Sequence, residues 1–492
     1  MKGHERSMAR DRLDSDHAVP EHYADPAPTR FPDCDLVTSP AIATKPNGLL
    51  NALGLHRPEL RAWAMYDWAV SAMQTVITTA VFPIYFISVA GSEMSKPEAT
   101  AWYSWANTAG AILIAVLSPI LGAMADYRSA KKRFMAVFML LGVFSTMGMY
   151  FIMQGQILLA STLFVLSLAG ATGSMTFYES LLPHIASEDE IDRVSTGAYA
   201  MGYIGGGLLL AINLAWISNP GLIGLPTGDT LSPAQATLPA RLAFVSVGVW
   251  WLLFSLPTLR GVPEPPRVIE NDELPTGNPF AVAFSRLGET LRELRLYKQA
   301  FLTMLAFTVY NDGIQTIVRM AAVFGEELGL PRADLITAIL IVQFVGIPFA
   351  FLFGTLASKL GTKLSILLGL VIYTGICIYA YTIHTVTEFY VLAVMVATVQ
   401  GGTQALSRSL FASMVPKHKS GEFFGFYSVF EKFGGILGPA VFGIAVSSTG
   451  SSRSAILWVI AFFVVGGAML MRVNIQDGER MAREADARTH AI

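Results

Sequence analysis

Twelve stretches of this chain are apolar over about twenty residues each, and no other feature of the sequence limits its fold as tightly. A helix rises about 1.5 Å per residue, so roughly 20 apolar residues cross the ~30 Å hydrocarbon core of a bilayer. The stretches run over 62–89, 100–125, 134–153, 157–183, 194–217, 240–260, 299–324, 334–357, 364–383, 387–414, 421–446 and 453–472. Only the tripeptide QGQ separates the third from the fourth. Composition agrees: 14% of residues are charged and 53% hydrophobic, whereas a soluble domain carries about 25% charged residues. The expected fold is an all-α membrane protein of twelve transmembrane helices.

The same composition excludes several functions. The net charge is −2 and there is no basic arm, so no nucleic-acid partner is expected. Cys34 lies in a polar tail and Cys377 in an apolar stretch, which argues against a disulfide, and no Cys/His pattern suggests a metal. There is no GxxxxGK[ST] loop to cradle ATP. No nucleophile–base arrangement suggests an enzyme, and no cofactor is expected.

Lys and Arg in the short loops set the orientation. Arg128, Lys131, Lys132 and Arg133 follow the second stretch, Lys359 and Lys363 the eighth, Lys417 and Lys419 the tenth. The connection 261–298 carries Arg267, Arg286, Arg292, Arg295 and Lys298. All fall on one side, together with both termini, which are therefore expected in the cytoplasm, with the protein in the cytoplasmic membrane. Residues 1–57 are rich in Asp, His, Pro and Arg without an apolar core, and are expected to form a disordered tail rather than a signal peptide. Residues 473–492 are expected to form a short solvated tail that begins as a helix.

Two related halves are expected, 58–260 and 299–472, joined by the linker 261–298. In that linker Phe284, Leu287, Leu291, Leu294 and Tyr297 recur at helical spacing opposite Arg and Glu, the pattern of an amphipathic surface helix. GAMADYRSAKKR (122–133) follows the second stretch and GTLASKLGTKLS (354–365) the eighth, with Gly122 and Gly354 in matching places. YAMGYIGGGL from Tyr199 and YSVFEKFGGI from Tyr427 also align, as do Tyr66 and Tyr310. Parallel repeats of six spans are one way transporters are built.

GAMADYRSAKKR resembles the signature loop of the major facilitator superfamily: a Gly, an Asp four residues later, then a basic cluster. The loop's usual turn glycine is Ser129 here, whereas the second copy keeps Gly361 and has Ser358 in place of the Asp. WAMYDWAVSAMQTVI, FYESLLPHIA, AYAMGYIGGGLLL, YNDGIQTI, QGGTQALSRSLFASMVP and EFFGFYSVFEKFGGILGP resemble one branch of it, the vacuole-effluxer-like family, over about residues 58–472. That family includes the fungal autophagy-related vacuolar amino-acid effluxer. The resemblance implies secondary transport by alternating access, and more weakly amino-acid efflux.

Polar residues inside the apolar stretches mark the candidate site. A charge at mid-bilayer costs at least about 2.5–3.5 kcal/mol unless it faces water or a partner. Asp312 lies thirteen residues into the seventh stretch, and Gln315 and Arg319 share its helix face, with Asn311 adjacent. Asp67, Ser71, Gln74 and Thr78 form a stripe on the first stretch. There Asp67 is also placed to stabilise the positive end of a helix dipole. Gln400, Gln404 and Arg408 follow helical spacing in the tenth, and Tyr427 and Glu431 in the eleventh. A gate or interface role suits Glu179 as well as a binding role does. The expected substrate cavity is lined by Gln74, Thr78, Asn311, Asp312, Gln315, Arg319, Gln400, Gln404, Arg408 and Tyr427. Either Arg offers a planar donor fork to a carboxylate, or holds a structural ion pair. Asp312, Glu431 and Asp67 are the candidates for proton coupling. Gly122, Asp126, Arg128, Lys131, Lys132 and Arg133 form the expected gating loop. The partners are a small polar solute, protons and the bilayer around a monomer. The alternative is a nutrient sensor on a carrier scaffold, which binds solute without sustained transport.

Overall fold

The computed structural model describes residues 48–228, 231–266, 296–327, 330, 332–431, 441, 444 and 456–490. All fall within one compact unit, Pro46–Ile492. A helix occupies each of the twelve expected positions. We label them α1 (Pro58–Ala90), α2 (Lys96–Arg128), α3 (Lys131–Phe151), α4 (Ile157–Ile185), α5 (Ile191–Ser218) and α6 (Leu238–Gly261) in the first half. The second half holds α7 (Lys298–Glu327), α8 (Arg332–Leu360), α9 (Thr362–Thr382), α10 (Val386–Ser413), α11 (described over 420–431) and α12 (Ile456–Met471). A polar helix, α13 (Ile475–His490), follows. Eight helices among the described residues are long and apolar enough to cross a membrane. The remaining four expected spans are α2, α7, α11 and α12. The amphipathic stretch expected in the linker lies mostly outside the described residues.

Outward-facing side chains match a lipid environment. Val137 and Phe144 of α3, Leu253 of α6, Val371 of α9 and Val464 of α12 are all more than half exposed, a surface that water would penalise. Small hydroxyls join helices inside, where no water competes: Thr146 meets Ser167 at 2.6 Å between α3 and α4, and Ser246 donates to Asn213 at 2.9 Å between α6 and α5. Glycines let α5 lie directly on α1. A Cβ at Gly205 would come within 2.3 Å of the Trp68 carbonyl oxygen, and one at Gly202 within 2.6 Å of Ser71 Oγ.

The two halves meet through α5, which packs against α8 and α10. The repeated glycines do equivalent work at this boundary. A Cβ on Gly122 of α2 would sit 2.3 Å from the Gly421 carbonyl oxygen of α11, and one on Gly354 of α8 would sit 2.2 Å from Thr196 Oγ1 of α5. Each half thus presents a bare backbone patch to the other at the end of the bundle that carries the basic loops, here called the basic face.

Three departures from expectation shape the site. First, α1 starts at Pro58, with the proline at its first turn, rather than at 62. Asp67 therefore lies about two and a half turns in, beyond the first-turn reach of a helix dipole. Second, residues Met73–Val81 are wound as a π-helix, so the regular spacing that put Asp67, Ser71, Gln74 and Thr78 on one stripe does not persist. Side-chain bonds show the wider turn: Thr78 Oγ1 reaches Met73 Sδ and Thr79 Oγ1 reaches the Gln74 carbonyl, both five residues back. Third, neither tail is wholly free. Within the expected disordered tail, Gly48–Ala52 is helical and residues 53–57 pack on α5, where Gly54 adopts a φ of 69° against the Arg193 backbone. The C-terminal tail is helical through His490 and docked.

Candidate functional site: a buried charge cluster between the halves

Arg408, near the basic-face end of α10, is 1% exposed and reaches out of its own half. Its Nη1 lies 3.2 Å from Asp67 Oδ2 of α1. Its Nε donates to Ser195 Oγ of α5 at 2.9 Å, and Nη2 donates to the Ser195 carbonyl at 3.0 Å. Glu179 of α4 stands 4.0 Å from the same Nη1. The guanidinium also lies over the Tyr199 ring at 4.6 Å and the Trp63 ring at 5.0 Å. Every one of these groups belongs to the first half.

The first half is built to receive that cation. Tyr178 donates its hydroxyl to Asp67 Oδ2 at 2.8 Å, which holds the carboxylate toward Arg408. Trp63 stacks on Tyr178 with centroids 4.4 Å apart, and its Nε1 donates to the Tyr178 carbonyl at 3.0 Å. Ser195 closes the circuit by donating to the Ala405 carbonyl of α10 at 2.7 Å. Buried ions need a partner and satisfied donors, and here Nε, Nη1 and Nη2 all have one.

Further contacts seal the boundary toward the basic face. Asp192, at the start of α5, accepts from Ser409 of α10 and Thr362 of α9. Lys131 of the expected gating loop is 3% exposed and donates to Ser420 Oγ at 2.5 Å, while Ser420 donates to the Ser180 carbonyl at 3.0 Å. Thr176 of α4 and Ser428 of α11 share a hydrogen bond of 2.8 Å. Deeper in the bundle, Gln343 of α8 donates to Thr75 Oγ1 of α1 at 3.3 Å.

The expected site residues fall into groups. Asp67 and Arg408, read as coupling and substrate residues on separate helices, are brought together with Glu179. Gly122 and Lys131 sit at the boundary as described. Lys132 instead binds the start of the linker, its backbone N–H donating to Glu264 at 3.0 Å and its Nζ to the Val262 carbonyl at 2.5 Å, while Arg133 is exposed. Burial lifts the Glu264 carboxyl above the usual glutamate range. Gln74 is exposed between buried Met73 and Thr75, so it faces space that protein does not fill. Thr78, Gln315, Gln400, Gln404 and Glu431 are partly buried. Asp312 and Asn311 are each 1% exposed, and neither side-chain polar atom of Asn311 has a hydrogen-bond partner among the described residues. Tyr427 stacks on Phe307 at 4.6 Å and Phe411 at 4.9 Å. The side chains of Arg319, Asp126 and Arg128 lie outside the described residues.

Sequence reasoning passed over Tyr178, Ser195 and Asp192. Their signals were faint: a Tyr beside the buried Glu179, and a hydroxyl and an acid in the first turns of a helix.

Two six-helix halves that meet along a polar, separable boundary define the major facilitator fold. The solved structures bear this out. The proton:xylose symporter XylE superimposes with a TM-score of 0.63 at 14% identity, covering 85% of this chain and 95% of that one. The transporter FucP in its outward conformation gives 0.63 at 12%, covering 85% and 100%. The chain belongs to the family described as "Vacuole effluxer Atg22 like", which it matches over residues 100–483. Among its relatives is an uncharacterized MFS-type transporter, YxiO of Bacillus subtilis strain 168, 36% identical over 416 residues, or 83% of this chain and 93% of that protein. Autophagy-related protein 22 of Yarrowia lipolytica is 28% identical over 318 residues. That match takes in 59% of this chain and 51% of the fungal protein, about half its length. The chain is accordingly a multi-pass secondary transporter of the major facilitator class.

Proposed function

We propose that the protein moves a small polar solute, with amino acids the first class to test, by rocking its halves about a central site, and that proton binding drives the cycle. The observation that carries this is the Arg408–Asp67 contact, an ion pair with one member in each half, buried 3.2 Å apart. Parting the halves at the basic face must pull the pair apart. An uncompensated buried charge is strongly unfavourable, commonly by about 3–5 kcal/mol. Opening is therefore tied to whatever neutralises Asp67, and a proton is the smallest agent that does so. Tyr178 and Glu179 are positioned to exchange with that proton, and Asp312 and Glu431 remain the second-half candidates for the same task.

Lys and Arg in the short loops on this face support a cytoplasmic orientation for it and for both termini. We read the protein as a monomer in the cytoplasmic membrane. The family's description as a vacuole effluxer supports efflux of a solute, and amino acids are the class the sequence resemblance implies. Purified protein in liposomes tests the proposal through counterflow of labelled amino acids at pH 5.5 and 7.5. Exchange that depends on pH, and loses that dependence in Asp67→Asn, supports it. Binding without exchange would identify a sensor instead, and a pH dependence unchanged in Asp67→Asn would refute coupling at this pair.

A further inference from the structure

The loop between α4 and α5 together with the first turn of α5, SEDEIDR (187–193), carries four carboxylates, and three of them bind different parts of the chain. Glu190 pairs with Arg57 and lies 3.2 Å from His56 Nε2, so it anchors the segment that leads into α1. Asp192 holds Ser409 and Thr362 of the second half. Glu188 is 3.1 Å from Arg483 of α13.

The other end of that last contact belongs to the second half. Lys363 Nζ donates to the Met471 and Val473 carbonyls at 2.7 and 2.8 Å, capping α12, and the chain then turns by 61° into α13. Ile475, Gly478, Ala482 and Asp486 recur at helical spacing on the inner face of α13. Gly478 lies so close to α10 and α7 that a Cβ there would meet Met414 Sδ at 2.6 Å and Gln299 Cβ at 3.1 Å. Gln299 Oε1 accepts from the Asn474 N–H at 2.9 Å, and Asp486 accepts from the Lys417 N–H at 2.9 Å and lies 3.0 Å from His418 Nδ1. The helix is thus fixed to the second half at both ends and touches the first half through Arg483.

We propose that α13 is a clasp across the basic face: carried by the second half, it grips the α4–α5 loop of the first through Arg483 and Glu188 and biases the transporter toward the state closed on that side. This rests on the proposed rocking of the halves. The pair is exposed, with side-chain accessibilities of 60% and 48%, and exposed pairs shift an equilibrium by up to about fivefold. The clasp therefore sets the balance between states rather than locking one. A ligand, modification or protein that lifts α13 off the loop would speed opening toward the cytoplasm.

The alkylation rate of a cysteine buried at the boundary reads the open population. Ser428→Cys supplies that cysteine, since Ser428 is 3% exposed and bonded to Thr176, with Cys34 and Cys377 replaced by serine. In nanodiscs, Arg483→Glu and Glu188→Arg should each raise the rate of reaction with N-ethylmaleimide two- to fivefold. The reciprocal double variant should return it to the parent value. Thermal melting of each variant confirms that the fold is kept. If Asp67→Asn raises the rate and neither charge reversal does, the clasp is wrong and the carrier reading stands. Single variants that respond without repair in the double also overturn it. If none of the three raises the rate, the boundary does not open and both proposals fall.

Discussion

Arg408 of α10 and Asp67 of α1 stand 3.2 Å apart across the boundary between the two halves, with side chains 1% and 8% exposed. The partners of Arg408 lie in the opposite half, so α10 is held by groups it must leave when the halves separate. Pairing of this kind makes a poor net stabiliser but an effective discriminator between conformations, because its cost appears only when the pair is broken.

Removing one partner should therefore hurt more than removing both. Arg408→Met leaves Asp67 buried with, among the described residues, only the Tyr178 hydroxyl, and we expect a loss of about 3–5 kcal/mol. The double variant Asp67→Asn/Arg408→Met should recover at least about 1 kcal/mol of the summed single losses. Thermal unfolding in a fixed detergent measures the cycle, and strictly additive losses would deny the pair any coupling.

The glycine pair offers a steric test. Gly122→Val and Gly354→Val would drive a side chain into the opposing half, the first against a backbone carbonyl at 2.3 Å. Both should wedge the basic face apart and cut exchange at least about tenfold, since packed boundaries do not absorb such volume. Gly375→Val is the control, as nothing lies within 4 Å of its Cβ position. Equal exchange in all three variants would mean the boundary is not tight.

Ser129 has a φ of 49°, and no other non-glycine residue among the described ones has a positive φ. Its counterpart in the second half is Gly361, at 87°. An L-residue in this region costs about 1–2 kcal/mol. Here the hydroxyl also donates to the Pro265 carbonyl, joining the loop to the start of the linker. Ser129→Ala loses the bond and keeps the strain, whereas Ser129→Gly loses both. We expect the glycine variant to melt above the alanine variant by an amount equivalent to about 1 kcal/mol. The opposite order would show that the strain is not felt.

Glu479 makes the docking of α13 depend on pH. Burial and then the charge of Glu188 raise its carboxyl above the ordinary glutamate value, with Asp192 adding to this and Arg483 and a hydrogen bond with Ser413 opposing it. The docked helix thus binds the proton more tightly than the undocked one. Docking strength is fully present below the ordinary value of about 4.3 and is lost as pH rises through the shifted one. Limited proteolysis of α13 should be slower at pH 5 than at pH 7. Glu479→Gln should cleave at the slow rate at both, and a pH dependence that survives in it would assign the effect elsewhere.

The twelve helices and their two-fold repetition were legible because a bilayer admits so few ways to satisfy a backbone. Ser129 was legible too, since a turn that wants glycine leaves its mark when a serine takes its place. The pairing of Asp67 with Arg408 was not, because spacing assigns residues to a face of their own helix and says nothing of what that face meets. The early start of α1 escaped notice because Glu59 and Arg61 are charged, although a proline at 58 suits a first turn. The docking of α13 was not legible either: Gly478 and Ala482 on its inner face carry almost no hydropathy signal and yet permit the closest approach.

The π-wound segment Met73–Val81 leaves α1 with slack that an ordinary helix lacks. Its turns close five residues apart instead of four, so tightening them would twist Gln74 and Thr78 to new bearings while Asp67 stayed anchored below. This helix of the bundle can then reorient the exposed Gln74 amide without unwinding, as a loosely coiled spring takes up rotation along its length.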